Sequence, residues 1–75
     1  MREVRLPDLG EVDDVVVVAW LKQEGDSVAV GEALVEVETE KTTFVIEAPE
    51  AGRLAHIVRR ENEKACVHDL LAQIE

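Results

Sequence analysis

A chain of 75 residues holds one domain at most, in a size range where a single hydrophobic core is barely sufficient. Its one cysteine, Cys66, excludes an internal disulfide and gives no thiol cluster for a structural metal, so the core must be assembled from small, well-packed pieces. A formal net charge of −9 argues against a nucleic-acid backbone or an anionic membrane surface as partner and favours a basic docking partner.

The apolar residues are mostly valine and leucine, with Trp20 and Phe44 the only aromatics, a composition that favours strands. In chain order, Glu3–Leu6 is predicted as a short strand ending at Pro7-Asp8-Leu9-Gly10, where proline fixes one backbone angle and glycine permits a reversal. Glu11–Asp14 follows as an acidic loop. Val15–Leu21 resumes as a strand whose near-continuous apolar run predicts burial over much of both faces, and that run is too short to span a bilayer. Glu24-Gly25-Asp26 is the next turn; Val28 and Val30 lead to a reversal at Gly31-Glu32, and Leu34–Glu38 is the next strand. The N-terminus lacks a charged-then-apolar signal pattern, so the expected setting is cytoplasmic, or the mitochondrial matrix for a domain excised from a longer eukaryotic precursor. Met1 and the abrupt end at Glu75 fit an excised N-terminal domain.

Val35–Pro49 is the centre of the pattern. Val35 and Val37 alternate with Glu36 and Glu38 on the way in, Phe44 and Ile46 stand two apart on the way out, and both arms read as half-buried strands. Thr39, Glu40, Lys41 and Thr42 form the tip of the resulting hairpin. Beyond it, Pro49-Glu50-Ala51-Gly52 is predicted as a turn, Leu54–Val58 as a strand, Glu61-Asn62-Glu63 as a turn, and Leu70–Glu75 as the closing strand.

The two halves repeat. Sliding Val16–Glu38 onto Arg53–Glu75 places Trp20 on Ile57, Lys22 on Arg59, Glu24 on Glu61, Asp26 on Glu63, Val30 on Val67 and Leu34 on Leu71. The corner Pro7–Gly10 matches Pro49–Gly52 only at a larger shift, so the first half carries an insertion of about five residues at Glu11–Val15. Copies spanning roughly 2–38 and 42–75, each too small to bury its own apolar face, are expected to pack as two antiparallel sheets about a pseudo-two-fold axis. That axis places Lys41 at the pole opposite both termini, with the inserted acidic loop beside it.

A lysine nucleophile must be neutral, which requires desolvation or neighbouring positive charge, whereas Glu38, Glu40 and Glu47 provide the reverse. An exposed hairpin lysine is instead suited to recognition and modification by another enzyme. The reactive group is then a prosthetic one, and the protein supplies its position.

From end to end the chain resembles the lipoyl domains of dihydrolipoamide acyltransferases, the E2 components of 2-oxo acid dehydrogenase complexes. The residues that carry this are Leu6–Glu11, Trp20 with Glu24–Val28, Gly31, Leu34, Val37–Thr42, Ala48-Pro49 and Ala51-Gly52. The resemblance implies an all-β fold, a flattened barrel-sandwich of two four-stranded antiparallel sheets with quasi-two-fold symmetry. It implies lipoate in amide linkage to Lys41, with Glu40 and Thr42 as neighbours read by a lipoate-attaching ligase. It implies no catalysis by the domain itself, but a swinging arm that carries acyl groups and reducing equivalents between a thiamine-diphosphate-dependent E1, the E2 acyltransferase core and the flavoenzyme E3. Glu11, Asp13, Asp14 and Glu38, with Glu40, would form an acidic rim read by E1. Neither nucleic acid nor membrane is an implied partner, and the isolated domain would be a monomer.

The chain departs from the family pattern at Glu40, where aspartate is commoner, at Asn62 and His68, where glycine is usual, and at Val15, often glycine. Biotin carrier domains share the architecture but usually set their lysine between methionines, and here the only methionine is Met1. Three function classes stay in view: a lipoyl carrier, a biotin carboxyl carrier, and an unmodified adaptor module. Cys66 and His68 are too few for a metal site, and Cys66, aligned with Ala29, is expected to pack as a small residue. Trp20 is expected in the core, His56 on the surface, and Asp8 and Glu50 in turns.

Overall fold

In the computed structural model, which describes residues 2–10 and 14–75, the alternating segments become eight strands. They are β1 (Arg2–Arg5), β2 (Val15–Trp20), β3 (Ser27–Val28), β4 (Ala33–Glu38), β5 (Thr43–Glu47), β6 (Gly52–Ile57), β7 (Lys64–Ala65) and β8 (Leu70–Ile74). Hydrogen bonding arranges them as two antiparallel four-stranded sheets, β1-β8-β6-β3 and β5-β4-β2-β7. Exchanging β1–β4 for β5–β8 converts one order into the other, so the sequence repeat is a pseudo-two-fold of the fold.

The sheets face each other without closing. No hydrogen-bonded ladder joins them among the described residues, so the expected flattened barrel is an open sandwich. The edges explain why: β3 and β7 have two residues each, and Pro7 and Pro49, which have no backbone N–H to give, line the seam between β1 and β5.

Alternation directs Val4, Leu6, Leu54, Leu71 and Ile74 from one sheet against Val15, Val17, Leu34, Val37 and Ile46 from the other, all buried. Leu34-Val35 and Leu71-Ala72 break the alternation as consecutive buried pairs. The ladder shifts register beside Val35 in β4 and opposite β8 between Leu54 and His56, and such a shift turns an extra side chain inward.

The turns repeat as well as the strands. Gly25 (φ 97°) and Asn62 (φ 72°) occupy equivalent left-handed positions, as do Gly31 (φ 82°) and His68 (φ 72°). In each turn a carboxylate accepts a backbone N–H three residues back: Asp26 from Gln23, Glu63 from Arg60, Glu32 from Ala29 and Asp69 from Cys66.

Four expectations require correction. The Val15–Leu21 run is buried on one face only, with Val15 and Val17 inside and Val18 and Leu21 exposed, because β2 lies in a sheet covered on a single side. Gly52 is the first residue of β6, paired with Val28, and no turn glycine; a Cβ there would lie 2.5 Å from the Glu75 carbonyl oxygen and 2.7 Å from Ile74 Cγ2. Its counterpart Gly10 is a true turn residue (φ 90°), with Asp8 accepting its N–H at 2.9 Å. Cys66 is exposed, not packed, because it opens the turn after β7. Trp20 is half-buried against the core, its indole N–H donating to the Arg59 carbonyl at 2.7 Å across the axis.

Candidate functional site: the lysine turn between β4 and β5

Glu38 pairs with Thr43 at the end of the β4–β5 ladder, leaving Thr39–Thr42 as a four-residue loop. Threonine at its first position locks it. The Thr39 hydroxyl donates to the Thr42 carbonyl at 3.0 Å and accepts the N–H groups of Lys41 (3.2 Å) and Thr42 (3.1 Å), while Thr39 N–H donates to the same carbonyl at 2.8 Å. Thr39 is 6% exposed, whereas Glu40, Lys41 and Thr42 are all exposed. The tip is thus an internally bonded turn presenting Lys41 to solvent, and its ammonium makes no ion pair among the described residues.

The topology sets this turn far from the chain ends. β2 starts beside it, with Val16 opposite Glu38, and runs away from it to Trp20, after which the chain reaches β3, where Val28 pairs with Gly52 next to Glu75. Arg2 pairs with Ile74 at that second pole, and the molecule is 31 Å long. Anything attached before Arg2 or after Glu75 therefore leaves the lysine pole clear.

Of the residues expected as an acidic rim, Glu38 is exposed at the end of β4 and Asp14 is exposed immediately before β2, both at the lysine pole with Glu40. Glu11 and Asp13 lie outside the described residues. Groups whose protonation the fold shifts sit elsewhere. Glu24 is held below the usual carboxylate range by the Ile57 N–H, and Glu61 by its own N–H and then by that of Trp20. Glu32 is lowered, and Lys22 raised, chiefly by their mutual hydrogen bond.

A groove of about 320 Å³ lies between β1 and β5, and another of about 400 Å³ beside Trp20. Neither is lined by Lys41. Cys66 and His68 are exposed, and no cluster of three or more metal-ligating side chains occurs among the described residues. An exposed primary amine on a locked turn is suited to amide formation rather than to catalysis in place. Sequence reasoning missed Thr39, for which the available signal was a hydroxyl residue opening a four-residue hairpin loop.

The family model described as "Biotin-requiring enzyme", of the biotin and lipoyl family, matches residues 2–74. The succinyltransferase component of the 2-oxoglutarate dehydrogenase complex of Bartonella vinsonii subsp. berkhoffii, a dihydrolipoyllysine-residue enzyme, is 42% identical over 74 residues, 97% of this chain and 18% of that protein. The dihydrolipoyllysine-residue acetyltransferase component of the Mycobacterium bovis pyruvate dehydrogenase complex is 46% identical over 74 residues, 97% of this chain and 13% of that protein. The chain therefore spans less than a fifth of the length of these curated relatives. Among solved structures, the lipoyl domain of the 2-oxoglutarate dehydrogenase complex from Azotobacter vinelandii superposes with a TM-score of 0.81 at 28% identity, over 100% of this chain and 96% of that one.

Proposed function

The chain belongs to the biotin and lipoyl domain family, and from that premise we propose that it is a lipoyl carrier domain whose lipoate is attached through an amide to Lys41. The observation that carries this reading is the lysine turn itself: an amine fully available for amide formation, on a backbone held by the Thr39 hydroxyl, at the pole away from the termini. The residues present fit such a group, since it needs an accessible Nζ and no binding cavity.

When bound, lipoate supplies a disulfide that takes up an acyl group and two electrons together. The protein's own part is presentation. Thr39 fixes the direction in which the Lys41 stem leaves the domain, and exposed Glu40 and Thr42 flank the amine as the features an attaching ligase reads. Asp14, Glu38 and Glu40 surround the base of the arm with negative charge, which favours partners with basic active-site mouths. Those partners are a thiamine-diphosphate-dependent E1, an E2 acyltransferase core and an E3 flavoenzyme. Tethering at the far pole makes each encounter intramolecular and raises effective concentration.

The test is reductive acylation of the lipoylated domain by purified E1 enzymes for pyruvate, 2-oxoglutarate and branched-chain 2-oxo acids, read as an acyl mass increment. An increment with one of these on the wild type and none on Lys41→Arg is the expected result. A fully lipoylated domain that accepts an acyl group from none of them overturns the carrier reading.

A further inference from the structure

The pseudo-two-fold offers an internal control, because each outward position in one sheet has an equivalent in the other under the same backbone constraints. On the sheet that carries Lys41, the outward positions of β2 and β5 hold Val16, Val18 and Val45, with Val18 40% and Val45 48% exposed. Their equivalents on the other sheet are Arg53, Ala55 and Glu3. The fold therefore places charged or small residues at these positions without difficulty. Two exposed valines and the half-buried Val16, outward on one sheet only, are not demanded by the architecture.

Cross-strand register makes them one patch. Val45 lies opposite Glu36, Glu36 opposite Ala19 next to Val18, and Val16 opposite Glu38. Glu47 ends β5 on the same face and Glu40 stands at the tip beside Lys41, while Lys64, at the β7 edge beyond Val16, is the one basic residue within the four strands. The charges also differ between sheets. On the far sheet they are matched, Glu3 with Arg5 and Arg53 with Glu75. On the lysine sheet, Glu36, Glu38 and Glu47 make no ion pair among the described residues.

We propose that the outer face of β5-β4-β2-β7 is the docking surface for the 2-oxo acid decarboxylase that loads the arm, through a partner surface with an apolar centre and a basic rim; this rests on the carrier reading above. Unmatched acids framing outward valines select that chemistry, since a basic rim answers Glu36, Glu38 and Glu47 while an apolar centre dehydrates exposed Val18 and Val45 and half-buried Val16. The face is continuous with the lysine turn through Glu38 and Thr43, so a partner seated on it has its active-site mouth beside Lys41.

The experiment compares lipoylated wild type with Val45→Lys and Val16→Arg, the second installing the residue found at the equivalent position. Arg53→Val, the reverse exchange on the far sheet, is the control. With the E1 that acylates the wild type, a fall of at least about tenfold in kcat/KM is expected for the first two, carried by KM, with thermal midpoint and lipoylation rate unchanged. Arg53→Val should acylate as wild type does. Val45 is exposed enough that its lysine variant folds even where Val16→Arg does not. Lipoylated Val45→Lys acylated at the wild-type kcat/KM overturns the docking face alone, as does a defect confined to lipoylation. A wild-type domain that takes no lipoyl group overturns the carrier reading and the docking face together.

Discussion

Thr39 contributes one hydroxyl to the hairpin, and that hydroxyl satisfies three backbone groups of the tip. Thr39→Val keeps the shape and β-branching but leaves the Lys41 and Thr42 N–H groups to water, at a cost of about 1–2 kcal/mol. A lower thermal midpoint and a slower lipoylation rate are expected, both restored by Thr39→Ser. A variant that loses stability yet lipoylates at the wild-type rate would reduce Thr39 to a folding residue. The sequence made Lys41 conspicuous because it stands at the crest between two alternating arms. Thr39 stayed hidden because a Thr-Glu-Lys-Thr tip reads as uniformly polar, and only the end of the β4–β5 ladder decides which hydroxyl turns inward. Cys66 went astray for a related reason: matching Ala29 in size says nothing of exposure at a turn.

At the level of elements, the repeat resolves into turns of matched geometry closed by different residues. His68 adopts the left-handed conformation that Gly31 adopts in the first half, and for a residue with a Cβ this costs about 1–2 kcal/mol, partly offset by the greater chain entropy that glycine loses on folding. His68→Gly should therefore stabilise the domain by about 0.5–1 kcal/mol, measurable by urea denaturation, and Asn62→Gly by less, since asparagine tolerates this region. Destabilisation by His68→Gly would mean that the imidazole makes a compensating contact. Alternation and turn residues made most strands legible within a residue or two. Gly52 was not, because the reason for glycine there is the approach of Glu75 and Ile74 from the far end of the chain, which leaves no local mark. The bulges, which decide where burial changes phase, also depend on pairing rather than on local pattern.

Across the whole molecule, the halves are held by a reciprocal pair of carboxylates: Glu24 accepts the Ile57 N–H at 2.8 Å and Glu61 accepts the Trp20 N–H at 3.1 Å. Both are held below the usual carboxylate range in the folded state. Their stabilisation is thus complete above the unfolded value, near 4.3 for glutamate, and is lost as pH falls through the lower folded value. Glu61→Gln should lower the thermal midpoint at neutral pH, with the difference from wild type disappearing in acid; a difference independent of pH would contradict the latch. The architecture was legible at this scale because the repeat implied both the axis and the polar placement of the lysine. The unequal outer faces of the two sheets became visible only once the register assigned each valine and glutamate to its side.

The carrier role and the docking face both depend on Lys41 being the point of attachment. The most direct measurement is the intact mass of the domain after co-expression with a lipoate ligase and, separately, with a biotin ligase, for wild type and Lys41→Arg. One lipoyl increment on the wild type, located at Lys41, absent from Lys41→Arg and without a biotin increment, is the predicted result. A biotin increment alone, or no increment with either ligase, would contradict it.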